Sequence, residues 1–348
     1  MKKFLLTLLV FIVPVLLLMV TEVLLPSGFF AFRPWEGLMS SNKIPTYCTF
    51  YPNERMEMNS VGDLCHHTDH ALIRKERWIT DKLGYRNDAF VEAADILFIG
   101  DSFTVGTGLT QDDILSNKLR TKFGKGIRIY NMAPSSFSKF DYLLRLGVLK
   151  KPKLIVFEMV ERNLPTSFYF KKTSGLKNRM VKNAAYGQLI AVVDKAIRFS
   201  SLKWLNARIN HSRGSGRPAV DHSGMYFLQG KQQSHASSDL NRTVKIIKSY
   251  QHYCDSLDIK FLYLPMPDKE TVYYDLVPLK KQSDYLVRLD SSLQASQISS
   301  IHTLALYNEF RKTHSERLYQ LDDSHWNPTA VELVSEELFK VIHPMFNK

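Results

Sequence analysis

Hydrophobic and polar positions fall into three regimes along the chain. Phe4 to Leu25 is an apolar run interrupted only by Thr7, Pro14, Thr21 and Glu22. At about 1.5 Å per residue it spans roughly 33 Å, enough to cross a hydrocarbon core of about 30 Å. A cleaved signal peptide has a shorter apolar region, about 7–15 residues, followed by small residues at the cut. Here the run is longer and no A-x-A-like site follows, so the reading is an uncleaved anchor within residues 1–28. Lys2 and Lys3 hold the N-terminus in the cytoplasm by the positive-inside rule, which exports everything after the anchor. Glu22 sits near the outer end, within reach of the interface. Residues 29–92 show no sustained period and read as an irregular lead-in rich in Pro, Asn, Met and aromatics.

From about residue 93 the pattern becomes regular. "DILFIG", "IRIYNMA" and "KLIVFEMV" read as strands, and "DDILSNKLRTKFG", closed by Gly124, and "SKFDYLLRLGVLKK" as helices between them. Short apolar strands alternating with amphipathic helices predict an α/β fold with a parallel sheet covered on both faces. The alternation stops at about 164–236, an insertion with one helical segment, "AYGQLIAVVDKAIRFSSLKWLNARI", and a Gly/Ser/His-rich loop. It resumes with a helix around 238–257, strands at "IKFLYL" and "HTLALYN", and a last helix from about Pro328. One α/β domain, 93–348, carrying an insertion accounts for this better than two domains.

Charge changes the picture in one place. The chain carries a formal +12, which favours anionic partners, but export of the body argues against nucleic acid. Lys171 to Arg217 holds eleven Lys/Arg and one acid, Asp194. This stretch is either a solvated helix face, with Ile190, Val193, Ile197 and Trp204 turned to the core, or a basic surface for an acidic glycan or anionic lipid headgroups. Cys48 and Cys65 can pair in an oxidising compartment, and Cys254 is left over inside a helix. "CHHTDH" (65–70) lacks a second ligand cluster and reads as a polar surface segment rather than a zinc site.

Two segments carry candidate chemistry. In an open parallel sheet, ligands bind beyond the C-terminal strand ends, and "ILFIGDSFTVGTG" (96–108) places Ser102 there. Amides of the following turn can face an anionic oxygen. "LYQLDDSHWNPTA" (318–330) supplies Asp323 and His325 just ahead of a helix. A serine nucleophile needs a base, and the base needs a carboxylate that fixes its tautomer. Ser102, His325 and Asp323 would supply all three, with Asp322 the alternative carboxylate.

These blocks resemble the SGNH (GDSL-like) hydrolase superfamily, and in particular its polysaccharide O-acetyltransferase branch, the alginate acetylation proteins and their relatives. "DSHWNP" resembles that branch's D-x-H-W signature, which points to Asp323. "LPMPDKETVYYD" resembles its P-x-K-x-x-V-Y segment and brings Lys269 into the candidate site. "VFEMVERN" resembles its E-x-x-E-R strand, and "TDKLGYRND" the segment before the nucleophile. The resemblance implies a three-layer α/β/α sandwich and an acetyl-serine intermediate. Oxyanion donors would come from the Ser102 amide, from Ser136 where the superfamily normally has glycine, and from Asn163 with Arg162 beside it. It implies no metal and no organic cofactor, a cell-surface or secreted polysaccharide as substrate, and a multi-spanning membrane acyltransferase as acetyl supplier. The Ser-before-Asp/His order is that of ordinary SGNH esterases, so an acetyl esterase stays open, as does a non-catalytic glycan-binding assembly factor. The expected location is the inner membrane, with the catalytic domain periplasmic.

Overall fold

A computed structural model describes residues 2–40, 49–170, 184–210, 214–228, 237–278 and 282–346. At its centre are four parallel strands in the order β4 (Ile129–Asn131), β3 (Ile96–Ile99), β5 (Leu154–Val160), β8 (Lys260–Met266). All four residues of β3 are buried, and six of the seven in β5 are. A strand buried on both faces keeps no polar alternation, so these strands appear in the sequence as continuous apolar runs.

Helices cover the sheet. On the β4 side, α4 (Leu115–Phe123) packs against the C-terminal helix (Pro328–Phe346), here α12. The latter starts as the sequence predicts: Asn327 Oδ1 accepts the Ala330 amide at 3.0 Å and Pro328 takes the first helical position, where its missing N–H is no loss. On the β8 side lie three more helices, α8 (Ser237–Ser256), α10 (Tyr285–Ala295) and α11 (Thr303–Thr313). The result is a mixed α/β arrangement around a parallel sheet.

Three local expectations change. "HTLALYN", predicted as a strand, begins α11: Thr303, Leu304 and Tyr307 are its buried residues, a spacing of three to four that a seven-residue window cannot separate from a strand. Only Ser300 makes a single parallel bridge to Tyr263. The helix after β4 is α5 (Phe137–Arg145), ended near Gly147 at φ +68°. The insertion helix is two helices, α6 (Ala184–Arg198) and α7 (Ser200–Ile209), broken at Phe199, whose φ is +52°. Cys48 and the cations of 171–183 lie outside the described residues.

The lead-in is more ordered than its sequence suggests. β1 (Arg55–Ser60) and β2 (Arg74–Ile79) pair antiparallel. Trp78, Phe50, Leu38 and Met56 form a second small core with Val105 and Ala133, which lie just beyond β3 and β4. Arg86 is fully buried, with its guanidinium 3.9 Å from the Trp78 ring centroid. It donates to the carbonyls of Val105, Gly106 and Leu109. Asn87 donates to Asp81 and to the Asn131 carbonyl, and Asn131 returns its amide to Asn87. "GYRND" therefore fastens the lead-in to both strand ends that border the site. Preceding it is α1 (Lys2–Leu24), long and apolar enough to cross a membrane and thus a candidate membrane anchor or signal sequence.

Candidate active site

Ser102 is presented by a turn that backbone and carboxylates fix from below. Gly100 follows β3, and a Cβ there would meet Glu158 Oε2 at 2.5 Å and Thr104 Oγ1 at 2.6 Å, so only glycine fits. Glu158 Oε2 accepts the Asp101 amide at 3.0 Å and the Thr104 hydroxyl at 2.8 Å. Asp101 caps the one-turn helix α3 (Ser102–Val105) by accepting the Phe103 amide at 3.0 Å, and its other oxygen takes the Val160 amide at 3.2 Å. Burial, with the Asp101 charge adding to it, pushes Glu158 well above the usual carboxylate range. Ser102 opens α3, so its amide is one of the first-turn donors that a helix cannot use internally.

The loop before α12 supplies the candidate base. His325 Nε2 lies 2.8 Å from Ser102 Oγ, and His325 Nδ1 lies 2.6 Å from Asp323 Oδ1, which also accepts the His325 amide at 2.9 Å. With Nδ1–H donated to Asp323, Nε2 is left to accept the serine proton. The neighbouring Asp322 faces the other way. It accepts the amides of Gly62 and Leu72, each at 2.9 Å, and pairs with Arg74. Gly62 is packed so tightly there that a Cβ would meet the Asp322 carbonyl oxygen at 2.0 Å.

A second support comes from residues with no sequence signal. Asp63 donates its amide to Asp323 Oδ2 at 3.0 Å, while its carboxylate accepts the Ser324 amide at 2.7 Å and hydroxyl at 2.6 Å. Burial first, then the Asp323 charge, raises the Asp63 carboxyl. Burial also works against the charged forms of His325 and Asp323. Their mutual attraction outweighs it: His325 stands above its ordinary 6.5, helped by Asp63, and Asp323 falls below the usual carboxylate range, helped by Arg74.

The site opens into a cavity of about 670 Å³ that Ser102 and His325 line together with Arg162, Asn163, Pro134 and Asp63. Arg33, Trp35, Met39 and Phe50 form part of its wall, none of them marked by any motif in the sequence. Arg162 is held by Asp268, and Asp268 donates its amide to Glu161 at 3.1 Å, so Glu158 and Glu161 of the E-x-x-E-R segment act as scaffold while Arg162 lines the cavity. Two expected substrate-side residues lie elsewhere. Ser136 is exposed at the N-cap of α5 and does not line the cavity. Lys269 is buried, and its Nζ donates to the carbonyls of Gln320, Leu321 and Asp323 at 2.5, 3.0 and 2.9 Å. Burial lowers its pKa to about 8. It ties down the loop that carries the base and does not face the cavity.

Residues 225–347 match the family model described as "SGNH hydrolase-like domain, acetyltransferase AlgX". That part of the chain is similar to an SGNH hydrolase-like domain. The match takes in the Asp323–His325 loop and Lys269 and leaves Ser102 outside. Among solved structures, the chain is similar to an acylhydrolase-described protein from Bacteroides fragilis, at 12% identity and TM-score 0.34, covering 72% of this chain and 86% of that one. It is also similar to a GDSL-like lipase from Bacteroides thetaiotaomicron, at 9% identity and TM-score 0.34, covering 74% and 93%. No curated protein matches. An SGNH hydrolase-like domain of this kind supports esterase or acyltransferase chemistry.

Proposed function

We propose that the protein is a membrane-anchored, extracytoplasmic O-acetyltransferase that acts on a cell-surface or secreted polysaccharide. The observation that carries the reading is the continuous hydrogen-bonded line Ser102–His325–Asp323 opening into a cavity large enough for a sugar. Ser102 Oγ attacks the acetyl carbonyl carbon of the donor as its proton passes to His325 Nε2. The tetrahedral oxyanion is met by the Ser102 amide and Asn163. Collapse expels the donor's leaving group, which takes the proton from His325, and leaves acetyl-Ser102. A sugar hydroxyl then attacks that ester, giving its proton to His325, and Ser102 departs and is reprotonated. Asp323 holds the imidazole and supports its transient charge.

Transfer rather than hydrolysis is favoured by the match of residues 225–347 to an acetyltransferase family. α1 would keep the enzyme at the membrane, where a multi-spanning acyltransferase can hand over acetyl groups. The test is the fate of the acetyl group. With a chromogenic acetyl ester as donor, the full-length protein should release the chromophore slowly in water. Binding an acceptor next to the acyl carbon favours it over water by proximity, so a suitable oligosaccharide should speed release and gain acetyl mass. If a broad oligosaccharide panel gains nothing while acetylated versions lose acetyl, the protein is an esterase of the same fold.

A further inference from the structure

The insertion helices have faces that the active site does not use. Along α6, Leu189, Val192 and Val193 are exposed, and along α7, Leu202, Leu205 and Ile209 are. Spacings of three, four and seven put each set on one side of its helix. The opposite side of α6 is docked on the body by polar contacts. Asp194 is buried and accepts the Tyr51 hydroxyl at 2.8 Å, Lys195 pairs with Glu54 at 2.5 Å, and Arg198 donates to the carbonyls of Glu36, Gly37 and Met39. Val193, expected toward the core, is among the outward residues.

What lies against these faces is indicated by α1. From Leu6 to Leu17 every residue of α1 is exposed, whereas Leu18, Met19, Glu22 and Val23 form one covered face, and α6 packs on α1. A span of about 20 residues counted from Phe4 ends near Val23, so α6 touches only the outer end of the apolar helix. Glu22 is buried there and accepts the Ser201 amide, in the first turn of α7, at 2.7 Å. The acid inside the apolar run is thus a clasp between anchor and insertion, and a carboxylate is favourable at a helix N-terminus. Aromatic rings gather at the same level: Trp204 lies 6.1 Å from Phe30 and 6.4 Å from Phe32, and Phe29 is exposed. Trp is enriched at membrane–water boundaries. Lys203 and Arg208, both exposed, flank the α7 stripe with the charge that anionic headgroups attract.

We infer that α6 and α7 lie in the outer membrane–water boundary as a second membrane contact beside α1, with the Leu189 and Leu205 stripes against acyl chains. The inference rests on reading α1 as a membrane anchor. It gives the catalytic body a fixed height over the bilayer, because Arg198 of α6 binds the backbone of the same 36–39 segment that lends Met39 to the cavity wall.

The experiment uses the full chain, with its native cysteines replaced by alanine, in vesicles of phosphatidylglycerol and phosphatidylethanolamine. An environment-sensitive fluorophore is placed on Leu16→Cys, Leu189→Cys, Leu205→Cys or, as the control on α10, Val287→Cys, where Val287 is also exposed. The inference expects labels at 189 and 205 to be quenched several-fold more than 287 by lipids carrying a shallow nitroxide, and 16 to respond to a deep one. Equal access of aqueous iodide to 189, 205 and 287, with 16 still quenched in lipid, overturns the inference and leaves the anchor standing. A label at 16 that remains in water removes the anchor reading and the inference with it. Protection at 189 and 205 that disappears when protein is diluted in lipid assigns the face to a second copy, which also overturns it. As a check independent of the cysteine replacements, Trp204→Phe in the otherwise native chain should remove the part of the tryptophan signal quenched by shallow brominated lipid; an unchanged quenched fraction counts against the inference.

Discussion

The two loops that meet at Ser102 are held in different ways. The Ser102 turn is built locally: a strand end, a glycine, the Asp101 cap, and Glu158 from the adjacent strand, all inside the parallel sheet. The Asp322–His325 loop has little of its own structure and is held from a distance. Gly62 and Asp63 reach it across 260 positions of sequence, Arg74 pairs with Asp322, and Lys269 gathers the Asp323 carbonyl with those of Gln320 and Leu321 just before the loop. Ser102 is therefore set by the sheet, and His325 by the lead-in together with Lys269. Damage to the carboxylates beneath Ser102 should cost both fold and activity, whereas in the Asp322–His325 loop stability and alignment rest on different side chains, Asp322 for the first and Asp323 for the second.

The largest expected effect comes from the reacting groups themselves. Ser102→Ala or His325→Ala should lower turnover of a small acetyl ester by about a thousandfold or more, with an unchanged circular dichroism spectrum. Asp323→Asn should approach that loss, because it abolishes the charge that orients the imidazole. Asp322→Asn should instead lower the melting temperature by several degrees and kcat by no more than about tenfold. It breaks a buried pair, which costs about 3–5 kcal/mol when the surroundings are well sealed, and the partial exposure of Arg74 argues for the lower end. The reverse ranking of these two aspartates would end the contrast between an aligned and a structural carboxylate. Lys269→Met should fall between them, lowering kcat by up to about 100-fold with little change in KM, because misplacing a catalytic group by about 1 Å costs that much. A raised KM with unchanged kcat would put Lys269 on the substrate after all.

The smallest effects are in pH dependence. Protonated His325 cannot take the serine proton, so kcat/KM should fall as pH drops, and the midpoint should lie above the ordinary 6.5 because Asp323 and Asp63 favour the imidazolium. Asp63→Asn should move that midpoint down while leaving the plateau rate close to wild type. A midpoint that stays in place would mean that Asp63 acts only through its hydrogen bonds to Ser324.

The same contrast explains what the sequence makes legible. Strands buried on both faces leave apolar runs, so β3, β4, β5 and β8 and the Ser102 turn are visible directly, and Pro328 marks the start of α12. β1 and β2, "RMEMNS" and "RKERWI", hide because each carries mostly charged or polar residues and is stabilised by what Trp78 packs against. Asp63 has no signal of its own: its role exists only once the lead-in lies over the base loop. Lys269 stands in a recognisable segment, but nothing local tells whether its ammonium turns to the cavity or to backbone carbonyls. The α6–α7 break at Phe199 is likewise set by docking, since Arg198 and Glu22 fasten the two sides of it.

The central claim is that Ser102 is the activated nucleophile, and it is tested most directly by locating a covalent adduct. The full-length protein treated with a serine-directed fluorophosphonate, digested and analysed by peptide mass spectrometry should carry the adduct on Ser102. The adduct should be absent in Ser102→Ala and strongly slowed in His325→Ala. An adduct on another serine, or labelling that persists undiminished in Ser102→Ala, would contradict the account.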